Sequence, residues 1–259
     1  MSNRSTPQQR LTVDALQVEI YPQRAEMGAA AAHDVAAAMR RVLAERETVR
    51  VIFAAAPSQN EMLAGLCAME DLDWGRVEAF HMDEYVGLPE GAPQSFGRFL
   101  REHLFDVVRP GRVEYLNGNA ANVAAQCQRY AALLRERPVD IVCAGIGENG
   151  HLAFNDPPVA DFTDPHVVKP VTLDQTCRMQ QVHDGAFETL DEVPTQALTV
   201  TVPALMAAHE IFCVVPGPTK ADAVRATLRD PIDERCPATA LRRHPRAILY
   251  IDAAAAAHI

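Results

Sequence analysis

The chain has 259 residues, of which 48% are hydrophobic, 22% charged and 6% aromatic. This length and balance predict one globular domain over residues 1–259 and exclude a disordered, collagen-like or disulfide-stapled chain. The formal charge of -10 argues against a nucleic-acid partner, which favours a basic surface, and requires a local positive site for any anionic ligand.

No apolar run approaches the length of a membrane span, and the first ten residues lack the apolar core of a signal peptide. The six cysteines are scattered without a Cys-x-x-Cys pair. We therefore expect a soluble protein of the reducing cytoplasm with no membrane partner. Cys143 and Cys213 lie in apolar runs and are expected to be small buried hydrophobes.

Seven β-branched apolar segments predict strands, at residues 16–21, 49–55, 77–82, 140–144, 198–202, 210–215 and 247–251. Five segments with apolar residues three and four apart predict helices, at residues 25–47, 60–70, 95–108, 120–136 and 220–228. Their alternation predicts a three-layer, Rossmann-like α/β fold with a mainly parallel sheet and helices on both faces. Residues 155–195 are the least regular and predict a flap or small excursion beside the site.

Ligands of such sheets bind beyond the carboxyl ends of the strands, and two of these ends lead into helices. At the first, Ser58 and Glu61 have the spacing of a capping box, and the helix start could also hold a phosphate. At the other, Thr219 can cap the helix, while the positive charge of Lys220 opposes the helix dipole. Ordinary capping and a solvated lysine are the alternatives to an anion site.

A third strand end carries two consecutive acids, Asp83 and Glu84. Because side chains alternate along a strand, only one of the two carboxylates is expected to face the crevice, as a candidate general base. Solvated loop acids are the alternative. A metal site at His81 and Asp83 is a weaker one, since no third ligand is visible nearby.

The fourth strand end is rich in glycine, with Gly145, Gly147 and Gly150 just before His151. These glycines let the backbone approach a ligand, and a histidine followed by a carboxylate can form a proton-transfer pair. The Gly-x-Gly-x-x-Gly spacing also occurs in dinucleotide-binding folds. Here it lies in the middle of the chain, and the residues from Asn155 to Pro158 end the following helix early, so no dinucleotide is expected.

At these residues the chain resembles the glucosamine-6-phosphate deaminase (isomerase) family, within the larger group that also holds 6-phosphogluconolactonases. The resemblance extends from about residue 51 to about residue 251. Its most specific segments are residues 82–88, 116–119, 145–155, 197–200, 217–221 and 244–247. Phe154 and Asn155 after the histidine are similar to the deaminase branch.

The resemblance implies a cofactor-free and metal-free reaction, in which glucosamine 6-phosphate and water, or a close phosphosugar variant, give fructose 6-phosphate and ammonium. It implies that His151, oriented by acids, opens the sugar ring and that Asp83 removes the C2 proton. By the same resemblance the substrate and its phosphate are held by Ser58, Gln59, Glu84, Gly145, Gly147 and Lys220. Homo-oligomerisation is compatible with this assignment.

The chain departs from the family pattern in the residues expected to support ring opening and phosphate binding. Asn149 stands where many members have an acid and cannot take a proton, whereas Asp156 replaces a glutamate and shortens its reach by one methylene. Both are retained as candidate catalytic residues. Three residues compete for the position of the phosphate-binding arginine of the family: Arg178, Gln181 and His183.

Two other functions fit the same resemblance. A 6-phosphogluconolactonase would use His151 to activate water and would need no base at Asp83. A sugar-phosphate sensor of a transcription regulator would carry a helix-turn-helix module before the sensor, and here only the few residues before Leu11 are expected to precede the sheet. A serine or cysteine hydrolase has no support, because neither a Gly-x-Ser-x-Gly elbow nor a cysteine beside a histidine occurs.

Overall fold

The computed structural model describes residues 4–259, which fold around an eight-stranded sheet. In spatial order its strands are β1 (Gln9–Val13), β2 (Leu16–Tyr21), β11 (Ala247–Asp252), β10 (Glu210–Val215), β7 (Ile141–Ala144), β3 (Val49–Phe53), β4 (Val77–His81) and β6 (Arg112–Glu114). Neighbouring strands are parallel except β1 and β2, an antiparallel pair at one edge. The predicted mainly parallel α/β sheet is confirmed.

A second, antiparallel sheet has the order β5 (Asp83–Tyr85), β9 (Gln196–Val200) and β8 (Val168–Thr172). Only Met82 separates the end of β4 from the start of β5, so the chain passes from one sheet directly into the other. Asp83 is paired with Thr199 of β9 in this register. The small sheet therefore fixes the backbone of the acid that follows β4.

Eight α-helices accompany the sheets in the described chain: α1 (Arg24–Glu45), α2 (Asn60–Cys67), α3 (Phe96–Leu100), α4 (Asp106–Val108), α5 (Val123–Arg135), α6 (Gln175–His183), α7 (Val202–Met206) and α8 (Ala221–Arg229). A π-helical turn, Arg101–Phe105, joins α3 to α4. None of the helices within residues 4–259 is long and apolar enough to cross a membrane.

Both faces of the large sheet are covered, as the alternation along β10 shows. Ile211, Cys213 and Val215 belong to the core on one face, whereas Phe212 and Val214 belong to the core on the other. Because successive side chains of a strand point to opposite faces, a strand that is apolar at every position must be buried on both sides. The buried apolar environment expected for Cys143 and Cys213 is confirmed.

Small residues allow α1 and α2 to pack closely. A Cβ on Gly28 would overlap Glu61, and a Cβ on Gly65 would lie 2.7 Å from the Cβ of Ala32. The alanines of α1 at positions 30, 31 and 32 are completely buried. The alanine-rich composition of this segment is therefore explained by helix packing.

The two predicted helix caps are wrong, for one physical reason. A 3-10 turn, Pro57–Gln59, precedes α2, and another, Pro218–Lys220, precedes α8, so Ser58 and Thr219 lie inside these turns and neither side chain caps a helix. Proline is favoured in the first turn of a helix, because the N–H groups there make no hydrogen bond within the helix and the absence of one costs nothing. Instead of completing a capping box, Glu61 binds Arg24, with Nε and Oε1 2.6 Å apart.

Candidate active site

The four strand ends singled out in the sequence meet at one cavity. It has a volume of about 400 Å³ and opens at the carboxyl edge of the parallel sheet, the expected place for a ligand in this class of fold. The turn after β3 contributes Ser58 and Gln59, β5 contributes Asp83, the glycine-rich loop after β7 contributes His151, and the turn after β10 contributes Lys220. The predicted convergence is confirmed.

Asp83 is the acid that lines the cavity. Its side chain is buried, and its carboxylate accepts no hydrogen bond from the residues that the structure describes. Burial, together with the negative charges of Glu84 and Asp156, raises the pKa of Asp83 well above its ordinary value. A carboxylate in these surroundings holds a proton strongly, as a general base must.

Glu84 points the other way, which corrects the expected contact with substrate. Its carboxylate accepts hydrogen bonds from the backbone N–H groups of Tyr85, Phe96 and Gly97 at 2.9–3.1 Å and does not line the cavity. Burial raises the pKa of Glu84 to about 7, although these three hydrogen bonds oppose the rise. Glu84 thus joins β5 to the start of α3, whose Phe96 does line the cavity.

His151 lies where the glycine-rich loop turns back on itself. Gly150 has a φ of +83°, which favours glycine, and the N–H of Gly147 donates to the carbonyl of His151 at 3.0 Å. Nδ1 of His151 lies 2.9 Å from Oδ1 of Asp156. The contact is short, but its direction does not satisfy hydrogen-bond geometry, so Nδ1 is buried without a hydrogen-bond partner in the described chain.

Asn149 and Asp156 stand behind His151 and do not border the cavity. The Asn149 amide donates to Asp156 Oδ1 at 3.0 Å and its oxygen accepts from the His151 N–H at 3.1 Å. Burial would raise the pKa of Asp156, but His151, Asn149 and the backbone N–H of Asp174 outweigh it and lower that pKa. The Asn149 amide therefore stabilises a charged Asp156, which an ionised acid at position 149 would instead repel.

Ser58 lies in the turn Pro57–Gln59 after β3. The Gln59 amide donates to Ser58 Oγ at 3.0 Å and to the carbonyl of Val214 at 3.2 Å, which leaves the Ser58 hydroxyl free to donate to a ligand. A Cβ on Gly145 would lie 3.0 Å from this amide. Gln59 and Gly145 accordingly position Ser58.

Lys220 supplies a positive charge to the cavity. It is buried, lines the cavity and donates no hydrogen bond to the residues that the structure describes. Burial lowers the pKa of Lys220, although the charges of Asp184 and Glu148 oppose that shift. An ammonium group without a protein partner can bind an anionic group of a ligand.

No arginine lines the cavity within residues 4–259. Arg178 donates to the carbonyls of Leu190 and Val193, and His183 pairs with Glu148 at 3.2 Å outside it. Of the three residues that compete for the arginine position, only Gln181 lines the cavity, where its side-chain oxygen accepts from the Tyr85 hydroxyl at 2.6 Å.

Sequence reasoning missed a wall of the cavity that α6 and the loop after it provide. Gln180, Asp184 and residues 185–186 belong to this wall, and Gln180 accepts from the N–H of Glu148, which ties α6 to the glycine-rich loop. The flap expected at residues 155–195 is therefore an excursion that contains β8 and α6. The polar composition of α6 carries no helical apolar period that could have identified it.

The weaker alternative of a metal site at His81 and Asp83 finds no support. Nδ1 of His81 donates to the carbonyl of Asp83 at 2.9 Å, and Nε2 accepts from the N–H of Leu116 at 2.8 Å. Burial lowers the pKa of His81 to about 4. Both ring nitrogens are used by the backbone, so His81 has a structural role.

The fold and the cavity together define an α/β protein with an acid–base site for a small molecule at the carboxyl edge of a parallel sheet. The chain belongs to the family described as glucosamine-6-phosphate isomerases/6-phosphogluconolactonase, whose pattern matches residues 22–249.

Two curated relatives carry the name glucosamine-6-phosphate deaminase. One, from Streptococcus suis, is 38% identical over 192 residues, which are 73% of this chain and 79% of the relative. Another, from Bacillus cytotoxicus, is 38% identical over 182 residues, or 70% of this chain and 67% of the relative.

Solved structures show the same fold. A monomeric glucosamine-6-phosphate deaminase of the NagB superfamily superposes with a TM-score of 0.86 at 29% identity, covering 93% of this chain and 99% of that one. A 6-phosphogluconolactonase from Thermotoga maritima superposes with a TM-score of 0.72 at 18% identity, covering 91% of this chain and 98% of that one. The second likeness concerns the fold alone.

Proposed function

We propose that this protein converts glucosamine 6-phosphate and water, or a close phosphosugar variant, into fructose 6-phosphate and ammonium. The observation that carries the proposal is the Asp83 carboxylate, which lines the same cavity as His151 and Lys220 and has no partner in the described chain. Aldose–ketose isomerisation needs a base for the proton on C2, and this carboxylate suits that need. The two deaminase relatives support the same assignment.

In the first step, His151 moves the proton that opens the sugar ring. Its imidazole faces the cavity, while Asp156 lies 2.9 Å behind Nδ1 with its charge supported by Asn149. A negative carboxylate behind the ring stabilises the imidazolium that forms when His151 takes up a proton. The shorter Asp156 is compatible with this step, because its Oδ1 lies within 2.9 Å of the ring nitrogen and its charge acts at that distance.

In the second step, Asp83 removes the proton from C2 of the open aldehyde and an enolamine forms. Return of a proton at C1 leaves an imine at C2, and water hydrolyses it to the ketone and ammonium. The substrate enters with an ammonium group on C2, and this positive charge favours the ionised form of Asp83. The raised pKa of the free carboxyl then falls when substrate binds, which prepares the base for proton removal.

Lys220 and the Ser58 hydroxyl hold the phosphate, with Gln59 and Gly145 positioning that turn. In a chain with a formal charge of -10, a buried lysine in the cavity is the local positive site that an anionic substrate requires. Gln181 lies in the cavity wall in place of an arginine. The phosphate therefore has one cationic contact, which is Lys220.

A panel of 6-phosphosugars with and without a 2-amino group tests the proposal. We expect ammonium and ketose to appear in equal amounts from glucosamine 6-phosphate. Hydrolysis of 6-phosphogluconolactone without ammonium release from any amino sugar would show a lactonase instead. Tight binding of a phosphosugar without turnover would show a sensor.

A further inference from the structure

Three potential metal ligands of different chemistry meet behind the cavity wall. The side-chain donor atoms of His151, Asp156 and Cys177 all lie within 4.8 Å of one another, and all three residues are buried. Cys177 belongs to the first turns of α6 and is not part of the cavity lining. The cluster forms because α6 packs against the glycine-rich loop, to which Gln180 also binds.

One atom of the cluster independently indicates a ligand. Nδ1 of His151 is buried and has no hydrogen-bond partner in the part of the chain that the structure describes, although Asp156 is close. His151 itself is 8% exposed. Oδ1 of Asp156 lies 2.9 Å from this nitrogen without a well-directed hydrogen bond, and an ion held between the nitrogen, the carboxylate and the thiolate would use all three donors.

From this arrangement we propose that His151, Asp156 and Cys177 form an inhibitory site for Zn²⁺ or a similar transition-metal ion. Zinc bonds of about 2.0–2.3 Å at tetrahedral angles place ligand atoms roughly 3.3–3.6 Å apart. The three donors lie within 4.8 Å of one another, and Nδ1 of His151 lies 2.9 Å from Oδ1 of Asp156, so small side-chain adjustments would be enough to bind the ion. Thiolate, imidazole and carboxylate are a zinc donor set, and the thiolate disfavours Mg²⁺ and Ca²⁺. The ion reaches the cluster through the cavity, which His151 borders.

The bound ion would stop the chemistry assigned to His151. Coordination uses the lone pair of Nδ1, releases the thiol proton of Cys177 to solvent and occupies Asp156. The ring then keeps one proton on Nε2 and can no longer form an imidazolium. Inhibition therefore rests on the proposed function, whereas metal binding does not.

Cobalt binding to the whole chain tests the site without any assay of activity. Co²⁺ added to chelator-treated protein should give a thiolate-to-metal charge-transfer band and the strong visible bands of a tetrahedral site, and Zn²⁺ should displace it. Cys177→Ser should lose the charge-transfer band and bind Zn²⁺ at least about ten-fold more weakly, since even outer partners of metal ligands contribute that much. Cys127→Ser, a buried cysteine of α5 outside the cluster, is the matched control and should bind like the wild type.

Activity is measured in a second arm. Zn²⁺ should inhibit the wild type and Cys127→Ser, while Cys177→Ser should keep its metal-free turnover and resist the ion. If Cys177→Ser does not fold, His151→Gln should bind Co²⁺ and Zn²⁺ at least about ten-fold more weakly than the wild type. Absence of a charge-transfer band in the wild type, or equal Zn²⁺ affinity of wild type and Cys177→Ser, would overturn the site. Failure of the deaminase assay with intact cobalt binding would affect only the proposed function.

Discussion

The imidazole of His151 lies against Gly147 so closely that a Cβ on the glycine would overlap three atoms of the ring. The ring can occupy this place only because residue 147 has no side chain. Gly147 therefore sets the orientation of the histidine, in addition to letting the backbone approach a ligand.

Gly147→Ala should lower kcat on the order of 100-fold, because displacing a catalytic group by about 1 Å has this effect. Overpacking of this kind also costs roughly 1–3 kcal/mol of stability, so the unfolding free energy is measured together with kcat. Gly75→Ala is the control, since its nearest neighbour would be a flexible side-chain oxygen of Asp73 at 3.3 Å. Normal turnover in Gly147→Ala would show that the ring has room to move.

Asp83→Asn should lower kcat by about 100-fold to 10,000-fold, the usual contribution of a general base. The substitution keeps the shape of the side chain, so the Kd for the phosphosugar should change little. Exchange of the C2 proton with solvent deuterium, followed by NMR, reports the assigned step directly. Retention of more than roughly a tenth of wild-type turnover would remove Asp83 from the role of base.

The sequence predicted the four strand ends well because their meeting follows from a general property of parallel sheets. Which acid faces the cavity depended on β5, a three-residue strand that begins one residue after β4 and pairs with β9 far along the chain. Alternation predicted that Asp83 and Glu84 point apart. The family resemblance implied that Asp83 is the base, and the structure shows that Asp83 lines the cavity while Glu84 binds backbone N–H groups at the start of α3.

The cavity wall from α6 could not be predicted, and neither could β8 beside it. Gln180 and Asp184 come to the site through long-range packing of a polar segment, for which the local pattern gives no signal, whereas Gln181 was a candidate only through the family resemblance. The two predicted caps were wrong because a 3-10 turn follows Ala56 and another follows Gly217, so Ser58 and Thr219 lie within the turn that precedes each helix.

The pH dependence of the reaction should reflect the raised pKa of Asp83. A base acts only when it is deprotonated, so the acid limb of kcat/KM, which reports the free enzyme, should lie well above the ordinary pKa of an aspartate. The substrate ammonium favours the carboxylate, so the acid limb of kcat should lie at lower pH. Profiles of kcat/KM and kcat between about pH 4 and pH 8 test this prediction. Acid limbs at the same pH for kcat/KM and kcat would contradict it.

The stability of the folded chain should also depend on pH through Glu84. Burial raises the pKa of Glu84 from 4.5 to about 7. The folded chain then holds this proton more tightly than the unfolded chain, so the stabilisation is complete below about pH 4.5 and is lost as the pH rises through about 7. The shift corresponds to at most about 3 kcal/mol. Urea unfolding should show a smaller decrease between about pH 4.5 and pH 7.5 in Glu84→Gln than in the wild type, and equal decreases would contradict the assignment.

Lys220 and Lys169 are the two lysines of the chain, and of these only Lys220 lines the cavity. Losing a charge-assisted contact costs on the order of 1.5–3 kcal/mol, so Lys220→Ala should raise the KM for the phosphosugar roughly ten-fold to a hundred-fold. Activity on the unphosphorylated sugar should barely change, because that substrate makes no such contact. Lys169→Ala is the matched control: its ammonium pairs with Asp164 at 2.7 Å outside the cavity, and its KM should stay near the wild-type value. Equal losses on the phosphorylated and unphosphorylated sugars would show that Lys220 supports the fold or the chemistry, and the phosphate would have to bind elsewhere.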